Sequence, residues 1–187
     1  MGSAGITKAN VTLTQLANQV DFTVTPAGAY AFANTGGPHY AFAFNLASAF
    51  SNATVTLTGV SNTEFRVLAG GPFKQTPFGN FSNAIDFNST AGKGLSDQYN
   101  TPLTFKVSFA NLTVDDFIRN GIGGTSGYRF ASDLGNVITG ATGNAASSEI
   151  AGGGGSSNGN QSNVPEPGTI ALFGLGLLAA GALRRKA

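Results

Sequence analysis

Val20-Asp21-Phe22-Thr23-Val24-Thr25 and Leu103-Thr104-Phe105-Lys106-Val107-Ser108-Phe109 alternate apolar and polar side chains without a break. Successive side chains of a β-strand point to opposite faces, so each run buries one face and wets the other. A helix would scatter the same apolar residues around its circumference. Ala53, Val55 and Leu57 alternate with Thr54, Thr56 and Thr58 in the same way. Tyr40, Phe42, Phe44 and Leu46 form one face of a further strand, opposite the small residues Ala41, Ala43 and Asn45. That second face predicts cover on both sides and makes this the expected central strand. Weaker runs span Val11 to Leu16, Phe65 to Leu68, Ala84 to Phe87 and Tyr128 to Ala131. Thr35-Gly36-Gly37-Pro38, Ala69-Gly70-Gly71-Pro72 and Ala91-Gly92-Lys93-Gly94 separate them as turns. The pattern predicts an all-β body over residues 1–145, an antiparallel β-sandwich or jelly-roll of roughly seven or eight strands.

One stretch breaks the period of two. Thr113 is a predicted N-cap, Asp115 and Asp116 stand in a first turn where the helix dipole favours anions, and Val114, Phe117 and Ile118 share a face. Gly121 follows as a stop, so one short helix is expected from Val114 to Asn120. Beyond Leu134 the apolar rhythm fades, and residues 146–163, with their Gly152 to Asn163 run of Gly, Ser and Asn, read as a flexible linker.

Composition narrows the chemistry. The chain of 187 residues has no cysteine, so neither disulfides nor thiolate chemistry enter. Charged residues make up 10%, and the polar surface must come from Asn, Ser, Thr and Gly. Without Arg184, Arg185, Lys186 and Glu166, seven basic and eight acidic residues remain. Such a body does not attract nucleic acid by charge. The single histidine, His39, sits in a turn before the central strand and has no second histidine to make a metal pair. No nucleophile motif is present, so no catalytic residue, metal or cofactor is assigned and the protein is expected not to be an enzyme. Two carboxylates from distant strands could still meet as a glycosidase pair; Asp115-Asp116 reads as a helix-start charge pair rather than a calcium site, for which Asp86, Asn88 and Asp97 are the candidate further ligands. Tyr30, Tyr40, Tyr99 and Tyr128 are the candidate platforms for a sugar, in a chain without tryptophan.

The C-terminal stretch has a different layout. Val164-Pro165-Glu166-Pro167 is followed by Gly168 to Leu183 without a charge, and then by Arg184-Arg185-Lys186-Ala187. Two prolines around one glutamate fix φ twice and remove two donors, which gives an extended strip that an enzyme's groove can hold. The apolar segment is expected to be a transmembrane helix, since lipid leaves no other way to satisfy its backbone. At ~1.5 Å per residue it reaches only ~24 Å of a ~30 Å hydrocarbon core, a marginal anchor. The basic end would stay cytoplasmic and place the body on the outer side.

These residues, 164–187, resemble the PEP-CTERM sorting signal of bacteria that make exopolysaccharide. The resemblance implies recognition at Pro165, Glu166 and Pro167, with Val164 beside them, by an exosortase, a membrane transpeptidase. It also implies a basic membrane stop at Arg184, Arg185 and Lys186. The implied protein is exported, membrane-anchored through its C-terminal helix before processing, and then released to the cell surface or extracellular matrix. There it would act as a biofilm-associated structural protein, with exopolysaccharide a further candidate partner. The alternatives are a polysaccharide-binding module and a surface glycan hydrolase. Met1 to Lys8 hold no apolar core of the length a secretory leader needs, so a leader is expected to lie upstream or to have been trimmed.

Overall fold

Strands with one apolar face are stable only where two such faces meet. The structure, a computed structural model, describes residues 7–89, 92–119, 127–147 and 156–158. In chain order its strands are β1 (Ala9–Leu16), β2 (Gln19–Pro26), β3 (Tyr30–Asn34), β4 (Phe42–Phe44) and β5 (Thr54–Leu57). A single helical turn, α1 (Ser61–Glu64), leads into β6 (Phe65–Leu68), β7 (Phe73–Gln75), β8 (Gly79–Phe81) and β9 (Asn83–Phe87). Then come β10 (Gly94–Tyr99), β11 (Leu103–Ser108), β12 (Phe130–Asn136), β13 (Thr142–Ser147) and β14 (Ser156–Asn158). All pairings among them are antiparallel.

The first sheet has the order β14-β1-β2-β11-β5. The second contains β10, β3, β12, β4, β9 and β6, with β13 added on β12, and β7 with β8 forms a separate hairpin. Its registers show a layout that strand order alone hides. Leu134 pairs with Phe32 and Gly143, and Phe130 with Phe44 and Ser147. A strand has two edges, so β13 takes one edge of β12, while β3 and β4 lie end to end along the other. By the same reasoning β10 and β9 lie end to end beyond them. Two neighbouring lines of the sheet are thus each interrupted, at residues 35–41 and at residues 88–93.

Phe22 is the centre of the packing. It stacks on its cross-strand partner Phe105 at 4.5 Å and meets Phe117 edge-on at 4.8 Å. Phe44, Phe130 and Phe42 of the opposite sheet stand 5.9, 6.0 and 6.4 Å away. Aromatic pairs of this kind add about 0.5–1.5 kcal/mol each beyond the burial itself. The inner faces of both sheets share this one cluster, while Ala43, Ala84, Ala131 and Ala146 turn the other way and meet Phe73 and Phe81 of the β7–β8 hairpin. Covering of both faces of β4, expected from its two apolar sides, is therefore present, with β12 and β9 on its edges.

Several expectations change. β3, β7, β8, β10 and β13 were not legible as strands. β12 runs on to Asn136, and Thr142–Ser147 pairs along it although only small residues are available; Ala145 reaches the inner core and Ala146 the outer one. The expected helix from Val114 to Asn120 is a single 3-10 turn, Val114–Asp116. Its start is capped as anticipated, since Thr113 donates both its N–H and its hydroxyl to the Asp116 carboxylate at 2.8 Å. It ends early because Phe117 turns to extended backbone, φ −83° and ψ 95°, and inserts its ring against Phe22. Burial of that ring outweighs another helical turn. Within the stretch read as linker, Ser156–Asn158 pair antiparallel with Thr12 to Asn10 of β1.

Truncating the ring at the centre, Phe22→Ala, is expected to lower unfolding stability by about 3–5 kcal/mol in a urea titration, against less than about 0.5 kcal/mol for the exposed Leu16→Ala.

Candidate functional site

β5 and β6 are the outermost strands of their sheets on the same side of the body, joined through α1. Between them lies a cleft of about 400 Å³, walled by Leu46, Val55, Val67, Phe73, Ser82 and Asn83 and closed by the loop Ala69-Gly70-Gly71-Pro72. The loop packs tightly. A Cβ on Gly71 would come 2.9 Å from the Ser82 carbonyl oxygen and 3.0 Å from the Phe73 ring, so this position accepts only glycine without displacement. At the floor, the Ser82 hydroxyl accepts from the Leu46 N–H at 3.0 Å and from Asn83 Nδ2 at 2.8 Å. The lining is mostly aliphatic with a few fixed polar groups, and it contains no carboxylate. That combination can hold a neutral ligand by shape and a small number of hydrogen bonds.

A second polar group of side chains lies where the sheet lines are interrupted. Asp133 stands opposite the gap between β3 and β4. Its N–H donates to the Tyr40 carbonyl at 3.1 Å, and its carboxylate Oδ2 accepts from the N–H and the hydroxyl of Thr35. Beside it the Ser132 hydroxyl donates to the Ala41 carbonyl at 2.6 Å. Gln75, fully buried, bridges both main-chain groups of Tyr40: Oε1 accepts from its N–H at 2.7 Å and Nε2 donates to its carbonyl at 3.1 Å. Gln75 also donates to Asn144 Oδ1 at 2.9 Å, and Asn144 Nδ2 donates to His39 Nδ1 at 2.6 Å and to the Thr76 carbonyl. The histidine expected at a turn before the central strand is there, tied to β13.

Asp86 and Asp133 face the same outer side of the second sheet and flank Tyr40-Ala41. Burial raises the Asp133 carboxyl above the ordinary value, against the lowering by Thr35, and burial likewise raises Asp86, against bonds from Phe87 and Ala41 and the charge of Arg66. In both, burial disfavours the charged form. Asp133 is 1% exposed, its Oδ1 has no hydrogen-bond partner, and the cleft between β5 and β6 lies elsewhere. Two carboxylates from distant strands are thus near enough to feel each other's charge, Asp133 buried and Asp86 half-buried, on the face of the second sheet that also meets the β7–β8 hairpin.

The candidate calcium ligands are not brought together. Asn88 donates to the Thr63 carbonyl at 2.7 Å, and Asp97 accepts from Asn34 at 2.9 Å. Among the described residues no group of three or more His, Asp or Glu is placed to hold a metal ion. The tyrosines named as candidate sugar platforms pack on neighbouring side chains. Tyr99 lies against Phe65 at 4.8 Å with its hydroxyl buried, Tyr40 against Phe73 at 5.5 Å, and Tyr128 against Phe78 at 5.1 Å. Tyr30 lies under the Lys8 ammonium at 5.7 Å. The cleft was missed because its walls come from residues spread over 38 positions between Leu46 and Asn83, with no local motif to mark them.

Val164, Pro165, Glu166 and Pro167, the apolar segment, and Arg184, Arg185 and Lys186 lie outside the described residues. No helix among the described residues is long and apolar enough to cross a membrane. For this stretch the comparison with protein families decides. Residues 163–186 match the PEP-CTERM protein-sorting motif. A PEP-CTERM motif indicates an exported protein, anchored at its C-terminus in the membrane and processed by an exosortase. No curated protein and no solved structure matches the chain. The PEP-CTERM tail thus carries the sorting, while the body stands on its own geometry.

The carboxyl group of Asp133 gives a pH signature. A carboxyl raised on folding contributes stability that is fully present below its unfolded value and is lost as pH rises through the folded value. The thermal midpoint of Asp133→Asn relative to the unaltered protein is therefore expected to increase from acid towards neutral pH, measured by calorimetry across that range.

Proposed function

We propose that this is a non-enzymatic protein of the cell surface or extracellular matrix, delivered there by its PEP-CTERM tail and serving a structural role among exopolysaccharide. The motif at residues 163–186 carries the reading. The body supports it in three ways. Its stability rests on aromatic packing with no cysteine, so it is indifferent to an oxidising exterior. Its surface is poor in charge and rich in Asn, Ser, Thr and Gly, a composition compatible with hydrated glycan. Of its two raised carboxylates Asp133 is buried and Asp86 half-buried, and neither lines the one sizeable cleft described, which holds no acid or base among its walls.

Within this reading Pro165, Glu166 and Pro167 form the strip an exosortase recognises, residues 168–183 the membrane segment, and Arg184 to Lys186 the cytoplasmic stop. Residues 1–145 are the working body. In a host with an exosortase, mass spectrometry of the mature protein is expected to find no peptide containing Arg184 to Lys186. Glu166→Ala or Pro165→Ala should retain that peptide and leave the protein in the membrane fraction. Equal processing of the variants would overturn the assignment of the strip.

A polysaccharide-binding role is the second reading, and the cleft between β5 and β6 is the observation that favours it. The residues to test it are those of the cleft, since Tyr99 is part of the core and its loss would damage the fold. If glycan is bound there, Asn83→Ala should weaken binding on a glycan array by about five- to thirtyfold, the loss of one to two hydrogen bonds. No binding to any polysaccharide by the unaltered protein would remove this reading and leave the structural one.

A further inference from the structure

The two ends of the body differ in a way the sorting tail explains. At one end lie the β2–β3 turn (27–29), the segment from β5 through α1 (58–64), the β10–β11 turn (100–102) and the β12–β13 turn (137–141). The β2–β3 turn crosses between the sheets at this end: its Ala27 N–H donates to the Lys8 carbonyl beside β1 at 2.9 Å, and its Ala29 carbonyl accepts from the Val137 N–H beside β12 at 2.8 Å. Large exposed apolar side chains among the described residues are Leu16, Val60, Val67, Val137 and Ile138. Three of them, including the two most exposed, Ile138 at 80% and Val60 at 64%, belong to this end. Its turns, taken with Lys8, carry one cation and one anion, Lys8 and Glu64. The opposite end carries Asp115, Asp116, Arg119 and Arg129.

The tip that presents Ile138 is built rather than loose. Asn136 Oδ1 accepts from the N–H groups of Ile138 and Thr139, both at 3.0 Å, and the Asn136 carbonyl accepts from the Gly140 N–H at 2.9 Å. An asparagine closing a turn in this manner fixes the backbone and sets the direction of the side chains it carries.

The chain leaves the body at the same end. β14 pairs with β1 as Ser156 to Thr12, Ser157 to Val11 and Asn158 to Asn10, so it runs toward Ala9 and the end that holds Ile138. Both Ala9 and Val11 face Leu134 and Ala145 across the sheets, which puts β1 on the β12–β13 side, next to the tip. From Asn158 to Gly168, where the apolar segment begins, there are ten residues. Fully extended they reach at most ~36 Å, and as a flexible chain ~17 Å root mean square. A tether of that length holds the tip near the bilayer at high effective concentration, so one weak apolar contact is enough to orient the body.

We propose that this end of the body rests on the lipid surface that holds the uncleaved tail, with Val137 and Ile138 dipping into the boundary between headgroups and acyl chains. The proposal builds on the sorting reading and adds which surface faces the membrane and by which residues. It orients the body so that the 159–167 stretch, with the Pro-Glu-Pro strip, is held close to the bilayer.

The chain has no tryptophan, which makes the test direct. Full-length Ile138→Trp, tail intact, is reconstituted into phosphatidylcholine–phosphatidylglycerol vesicles with and without brominated acyl chains, alongside Leu16→Trp at the opposite end. Co-flotation with the vesicles reads the tail; fluorescence reads the tip. The expected result is flotation of both variants, with a blue shift and bromine quenching for Ile138→Trp and neither for Leu16→Trp. Flotation with an unshifted, unquenched Ile138→Trp overturns the proposal and leaves the sorting reading standing. Failure to float removes the membrane-held state and the proposal with it. A blue shift without vesicles that grows with protein concentration means that a second copy covers the tip, and overturns the proposal as well.

Discussion

The aromatic contact between the sheets is the constraint on which the rest depends. Phe22 and Phe105 stack within one sheet and press against Phe42, Phe44 and Phe130 of the other. With no cysteine and few charges, the described body is held by apolar packing between its sheets, and these rings are the largest members of that shared core. Phe117 shows how strong the demand is, because its insertion ends a capped helical start after one turn. The conformations of the neighbouring loops follow from where these rings must sit.

A sheet built around such a core still has to close its polar gaps. The break between β3 and β4 interrupts ladder hydrogen bonds, and buried side chains replace them. Ser132, Asp133 and Gln75 supply the donors and acceptors that a continuous strand would have provided. The cost is visible in the raised carboxyl of Asp133 and its unpartnered Oδ1. These buried polar side chains bond the main chain on both sides of the gap.

Division of labour follows between body and tail. The PEP-CTERM tail carries the sorting signal in about two dozen residues. The body offers a cleft at the open side of its sheets and an apolar-tipped end, poor in charge, on the side toward which β14 runs. Both surfaces lie at sheet edges or ends, where strands have unsatisfied partners and loops are free to vary.

Strands with large alternating residues were legible from the sequence. β2, β5 and β11 lie where the period of two placed them, and β6 has the expected bounds, because burial of one face repeats locally along the chain. The sorting motif was equally legible, since a linear recognition strip is complete in its own residues. β13, with Thr142-Gly143-Asn144-Ala145-Ala146-Ser147, has no such signal and is a strand only because β12 offers it an edge. The same holds for the end-to-end arrangement of β3 and β4, for the approach of Asp86 to Asp133, and for the cleft walls drawn from Leu46 to Asn83. Periodicity and linear motifs are local properties that a sequence carries by itself. Edges, gaps and clefts arise from pairing between distant segments, and only the tertiary structure decides which segments meet.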